Sequence, residues 1–116
     1  MGEIPELSQE TWTDVLADTD LKDGGVKGIK VRGSHVAFYK IDGGIFATSD
    51  VCSHEFALLS GGWLEGDEIE CPLHGARFKI KDGRCLGPLA HEDIKSYSVR
   101  LRVGRIEVLI ASSPGD

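Results

Sequence analysis

Four residues carry the chemistry this chain could do. Cys52 and His54 flank one residue, Cys71 and His74 flank two, and sixteen residues separate His54 from Cys71. Thiolate and imidazole are both metal ligands. Each pair stands beside turn residues, so both of its side chains can leave the loop in one direction. Either pair alone is compatible with plain packing, since cysteine often serves as a small buried hydrophobe. Two pairs in the same order, in a chain of three cysteines and four histidines, point to a metal. Two kinds of centre fit this donor set. A single zinc takes Cys2His2 tetrahedrally, although zinc fingers group their cysteines together and their histidines together. A centre with two unlike ends suits the mixed loops better, with a thiolate from each loop at one end and an imidazole from each at the other.

The elements that must position these loops read as short strands joined by turns. Thr11 to Leu16 predicts a first strand with Trp12 packed, and "DTDLKDGG" supplies turn chemistry. "VKGIKVRG" and "HVAFYKI" predict strands joined around Gly33-Ser34. Asp42-Gly43-Gly44 is a hairpin signal leading into "IFAT". Residues 49 to 66 lack periodicity and predict a long loop, with Trp63 packed beneath it. "DEIE" and "ARFKI" predict strands around the second pair, and "CLGPLAHED" a loop. "IKSYSVRLRV" and "RIEVLI" predict a last hairpin at Gly104, followed by a loose tail. Evenly spaced short strands and fifteen glycines predict an all-β antiparallel sandwich or small barrel.

The spacing Cys52-x-His54, sixteen residues, Cys71-x-x-His74 resembles the Rieske [2Fe–2S] motif, in which two histidines replace two cysteines on one iron. "FATSDVCSH", "LEGDEIECPLHGARF" and the later "GPL" carry the resemblance, which runs from about Trp12 to Ile110. Overall the chain resembles the small soluble Rieske ferredoxins of bacterial aromatic ring-hydroxylating dioxygenase systems. The resemblance implies one Rieske domain over residues 1–116, with a cluster-binding subdomain near 49–90. It implies one [2Fe–2S] cluster held by Cys52, His54, Cys71 and His74. It implies a flavoprotein ferredoxin reductase upstream and a terminal oxygenase downstream.

The same resemblance implies how the site is tuned. Two ferric ions, two sulfides and two thiolates sum to no net charge, so the centre accepts an electron more easily than an all-cysteine cluster does. Respiratory Rieske proteins carry an additional disulfide between the loops, plus a Ser and a Tyr after the second histidine. Ala57, Leu73, Ala76 and Phe78 stand at those positions here, so the disulfide and both hydroxyl donors are absent. The implied potential lies at the low end of the Rieske range, near about −150 mV. Gly75 is expected to let backbone N–H groups approach the sulfurs. Gly87-Pro88 resembles the proline loop that covers the cluster. His54 and His74 are expected near the surface, with Leu73, Pro88 and Phe56 as a small apolar docking collar.

Bulk properties narrow the function further. A formal charge of −6 argues against nucleic acid or an anionic membrane as partner. No apolar run approaches the roughly 18 residues of a membrane span. The N-terminus lacks the basic-then-apolar pattern of a signal peptide. A cytoplasmic monomeric carrier is the expectation. Cys85 has no histidine at ligand spacing and is expected to be a partly buried thiol. His35 is expected to be solvated in its strand, and His91 to be a surface imidazole. An oxygenase would need a second domain with a mononuclear iron, so the chain is read as a carrier and not an enzyme. Two alternatives stand beside this reading: a Rieske-like small subunit of an assimilatory nitrite reductase, and a zinc-held interaction module.

Overall fold

The structure is a computed structural model. It describes residues 10–52, 57–73, 75–86 and 92–111. The described residues form ten strands in three antiparallel sheets, with no α-helix among them.

The first sheet has the order β1-β10-β9, with β1 at Glu10–Ala17, β10 at Arg105–Ala111 and β9 at Val99–Arg102. The second has the order β2-β3-β4-β8, with β2 at Val26–Val31, β3 at Ser34–Ile41, β4 at Gly44–Ser49 and β8 at Ser96–Tyr97. The third is small: β5 (Trp63–Glu65), β6 (Glu68–Glu70) and β7 (Arg77–Lys79).

Strand β3 is the middle of the molecule. Successive side chains of a strand face opposite sides, and here both sides are covered. Val36 and Phe38 join Val31, Ala47, Leu16, Ile106, Val108 and Ile110 in one core against the first sheet. Ala37 and Tyr39 join Leu59, Ile69, Phe78, Ile80 and Ile94 in a second core, under the third sheet. Full burial of a large aliphatic or aromatic side chain contributes about 1.5–3 kcal/mol. The four consecutive buried residues Val36–Tyr39 therefore tie the two halves together.

Three hairpins turn on two-residue loops with positive φ at both positions. These are Arg32-Gly33, Asp42-Gly43 and Val103-Gly104. This turn matches the right-handed twist of the strands it joins. The first turn begins one residue earlier than Gly33-Ser34, because Ser34 already pairs with Val31.

Three further sequence expectations need correction. The stretch 49–66 is not all loop: Val51 bridges Leu58, a 3₁₀ turn covers Leu59–Gly61, and β5 follows. "IKSYSVRLRV" is not one strand. It changes sheets at Ser98, with Tyr97 pairing Ala47 while Val99 pairs Val108. Trp63 is not packed beneath the loops but is 60% exposed. Strand β5 pairs only with β6 among the described strands, and its alternation points Leu64 toward the core, which leaves Trp63 and Glu65 outside. Trp12, expected to pack, is half-buried beneath the Arg100 guanidinium, 4.2 Å from its ring centre. His35 is exposed and Cys85 half-buried, as expected.

Candidate metal centre

The two cysteines occupy equivalent positions in two loops of one construction. Val51 pairs with Leu58 across the first loop, and Glu70 pairs with Arg77 across the second. Just inside each pair, the cysteine N–H donates to the carbonyl five residues on. Cys52 N lies 2.9 Å from Ala57 O, and Cys71 N lies 2.7 Å from Ala76 O. Each loop therefore holds six residues, 52–57 and 71–76, and each opens on a cysteine. His54 is the third residue of its loop and His74 the fourth.

Both cysteines are buried, Cys52 at 3% and Cys71 at 0% exposure, in the same apolar core as Leu59, Ala76 and Phe78. The Leu73 N–H is directed at the Cys71 sulfur at 3.4 Å. Such a donor favours the thiolate form that a metal requires. Gly75 has φ +77°, the left-handed region that glycine enters without penalty. Ala76 and Phe78 are almost fully buried and bring no hydroxyl. Leu73, one of the expected collar residues, is 40% exposed. His54, His74, Phe56 and Pro88 lie outside the described residues, as do Gly87 and His91.

The third sheet braces the second loop. Arg77, at its exit, reaches Glu65 at 2.7 Å, Glu70 at 3.0 Å and Glu68 at 3.1 Å. The hydrogen bond that Arg77 donates to Glu65, then the one it donates to Glu68, raises the guanidinium pKa above its usual value. Gly62 lies against the same loop. A Cβ there would run into the Glu70 carbonyl and press on the Pro72 ring. The doublet Gly61-Gly62 was the available signal for this close approach.

Asp50 and Ser60 also belong to the first loop's frame. Asp50 is 2% exposed, and its carboxylate accepts the Ser60 N–H at 2.6 Å and the Ser60 hydroxyl at 2.8 Å. A lone aspartate before a loop reads as a turn former, so only three-dimensional placement brings it out.

The donor set suits an iron–sulfur centre. Two buried sulfurs in one dry core, one from each of two matched loops, are the arrangement a shared cluster needs. His54 and His74, two and three residues further on in the sequence, are of the remaining ligand type.

Comparison with known proteins agrees. Residues 11–98 match the family model described as Rieske [2Fe-2S] domain. The ferredoxin component of the naphthalene 1,2-dioxygenase/salicylate 5-hydroxylase systems of Ralstonia sp is 41% identical over 97 residues, covering 84% of this chain and 93% of that protein. The ferredoxin of carbazole 1,9a-dioxygenase from Nocardioides aromaticivorans IC177 superposes with a TM-score of 0.77 at 31% identity, covering 83% of this chain and 96% of that one. A chain from a complex of reduced oxygenase and oxidized ferredoxin in carbazole 1,9a-dioxygenase superposes with a TM-score of 0.81 at 28% identity, covering 94% of this chain and 98% of that one. The choice between zinc and iron–sulfur is thereby made. The chain belongs to the Rieske [2Fe–2S] domain family, within its dioxygenase ferredoxins, and its cofactor is one Rieske-type [2Fe–2S] cluster.

Proposed function

We propose that this chain carries single electrons from an NAD(P)H-dependent flavoprotein reductase to a terminal aromatic-ring-hydroxylating dioxygenase. In this reading Cys52 and Cys71 hold one iron, and His54 and His74 hold the other. The observation that carries it is the pair of six-residue loops, closed in the same register, each presenting a buried cysteine first. When bound, the cluster supplies a one-electron couple. The chain's own residues do the rest. Cys52 and Cys71 keep their sulfurs out of water, and Leu73 N–H steadies one of them. The absence of hydroxyls at Ala76 and Phe78 leaves the added electron less stabilised, which supports a low potential suited to a flavin donor. Leu73, with Pro88 and Phe56, offers the docking collar, while the cluster-binding subdomain spans about residues 49–90 of a single domain.

The test is reconstitution. With a ferredoxin reductase and a naphthalene-type oxygenase, the chain should support NADH-dependent formation of the dihydrodiol. Cys52→Ala and Cys71→Ala should abolish both the visible cluster absorption and this turnover. Undiminished absorption in either variant would contradict the ligand assignment.

A further inference from the structure

The two ligand loops are built alike, but they are not held alike. Below the second loop, β6 and β7 form a regular ladder: Glu70 with Arg77, Ile69 with Phe78, Glu68 with Lys79. Below the first loop the ladder is a single bridge, Val51 with Leu58, after which the chain turns off into the 3₁₀ turn at Leu59–Gly61. The residue equivalent to Ile69, two before the cysteine, is Asp50. The residue equivalent to Lys79, eight after the cysteine, is Ser60.

These two residues replace the missing ladder. The Asp50 backbone is pinned at both ends. Its N–H donates to His35 O at 2.9 Å, and its carbonyl accepts the Leu59 N–H at 2.7 Å. Its side chain then takes both donors of Ser60. Strand β2 closes over the pair at Gly28, where a Cβ would collide with both the Asp50 carboxylate and the Ser60 hydroxyl. Both carboxylate oxygens act as acceptors, the role of an ionised group. Asp50 is the one buried carboxylate among the described residues. A buried charge costs free energy unless it is well bonded, and here Ser60 supplies the bonds. A fixed negative charge near a centre that gains an electron opposes that gain.

We propose that Asp50, clamped by Ser60 under Gly28, is the positioning residue of the Cys52 loop and holds the reduction potential of the cluster down. This rests on the ligand reading above.

Three proteins decide it, each purified anaerobically with its cluster: the parent, Asp50→Asn and Ser60→Ala. Asparagine can keep both contacts to Ser60 with the hydroxyl reversed, so Asp50→Asn removes charge with little change of shape. Its midpoint should move to a more positive potential, with far-UV circular dichroism unchanged. Ser60→Ala keeps the charge but leaves one carboxylate oxygen without its donor. The half-life of its cluster absorption at a fixed temperature should fall about tenfold, the scale of one lost buried hydrogen bond. A parent midpoint in Asp50→Asn, or a parent half-life in Ser60→Ala, would overturn the proposal. Should Asp50→Asn fail to fold, the Ser60→Ala half-life decides alone. A parent protein without a Rieske-type signal on reduction would instead defeat the ligand reading, so the two failures are distinct.

Discussion

Val103 sits at φ +49° on the tip of the last hairpin, 95% exposed. A β-branched residue rarely enters that region, and the left-handed conformation costs an L-residue about 1–2 kcal/mol. The next residue is Gly104, so asparagine at 103 would complete a favoured turn pair. Val103→Asn should raise the urea-unfolding free energy by about 1 kcal/mol. An unchanged or lower denaturation midpoint would refute this. Tyr39 makes a second prediction. The buried Tyr39 hydroxyl is hydrogen-bonded to the Thr48 hydroxyl at 2.8 Å. Burial above all holds the phenol pKa well above 10.0; the Thr48 bond partly offsets this, and the Asp50 charge adds to it. The unfolded chain therefore releases this proton first as pH rises. The stability Tyr39 contributes is fully present below pH 10 and declines above it. Tyr39→Phe should flatten the alkaline limb of the stability curve, which chemical denaturation at pH 9 to 11.5 would measure. At this scale the sequence was legible where a residue type has few uses, as with the paired cysteines and histidines or Asp42-Gly43. It was opaque where a common residue does an uncommon job, as with Asp50, which looks like any turn aspartate.

Among the elements, the hairpins were readable because glycine marks the turns and apolar residues alternate on either side. The two breaks in that pattern were not. Strand β5 has three residues, too few to show a period, and its outward Trp63 reads as core in one dimension. The change of sheet at Ser98 is invisible in "IKSYSVRLRV", which alternates straight through it; the cause lies in the partners, β4 on one side and β10 on the other. A tight contact holds the entry to this corner. Gly83 has φ +76°, and a Cβ on it would overlap the Ile94 carbonyl, while Ile94 N–H donates to Gly83 O at 2.8 Å. Gly83→Ala meets both a strained backbone and a collision. It should destabilise the protein by more than about 1 kcal/mol. Trp63→Ala, by contrast, removes a mostly exposed side chain and should stay near the surface norm of about 0.5 kcal/mol. Thermal unfolding of the two variants side by side checks the ranking, and a larger loss for Trp63→Ala would contradict the exposed edge.

For the whole molecule, three sheets around a doubly buried central strand separate two tasks. One core supports the first sheet, and the other carries both Cys52 and Cys71. The net charge of −6 belongs to this scale as well. Encounter with a basic reductase surface would be steered by long-range attraction, which salt screens over about 8 Å at physiological ionic strength. The rate of reduction by the reductase should therefore fall as salt is raised, and a rate indifferent to ionic strength would count against charge-guided docking. Low-temperature electron paramagnetic resonance tests the proposed Cys2His2 ligation of the cluster. Anaerobically purified protein should be silent when oxidised and give a rhombic Rieske-type signal after dithionite, with iron and acid-labile sulfide in equal amounts. One zinc per chain, with no sulfide and no signal, would contradict the account.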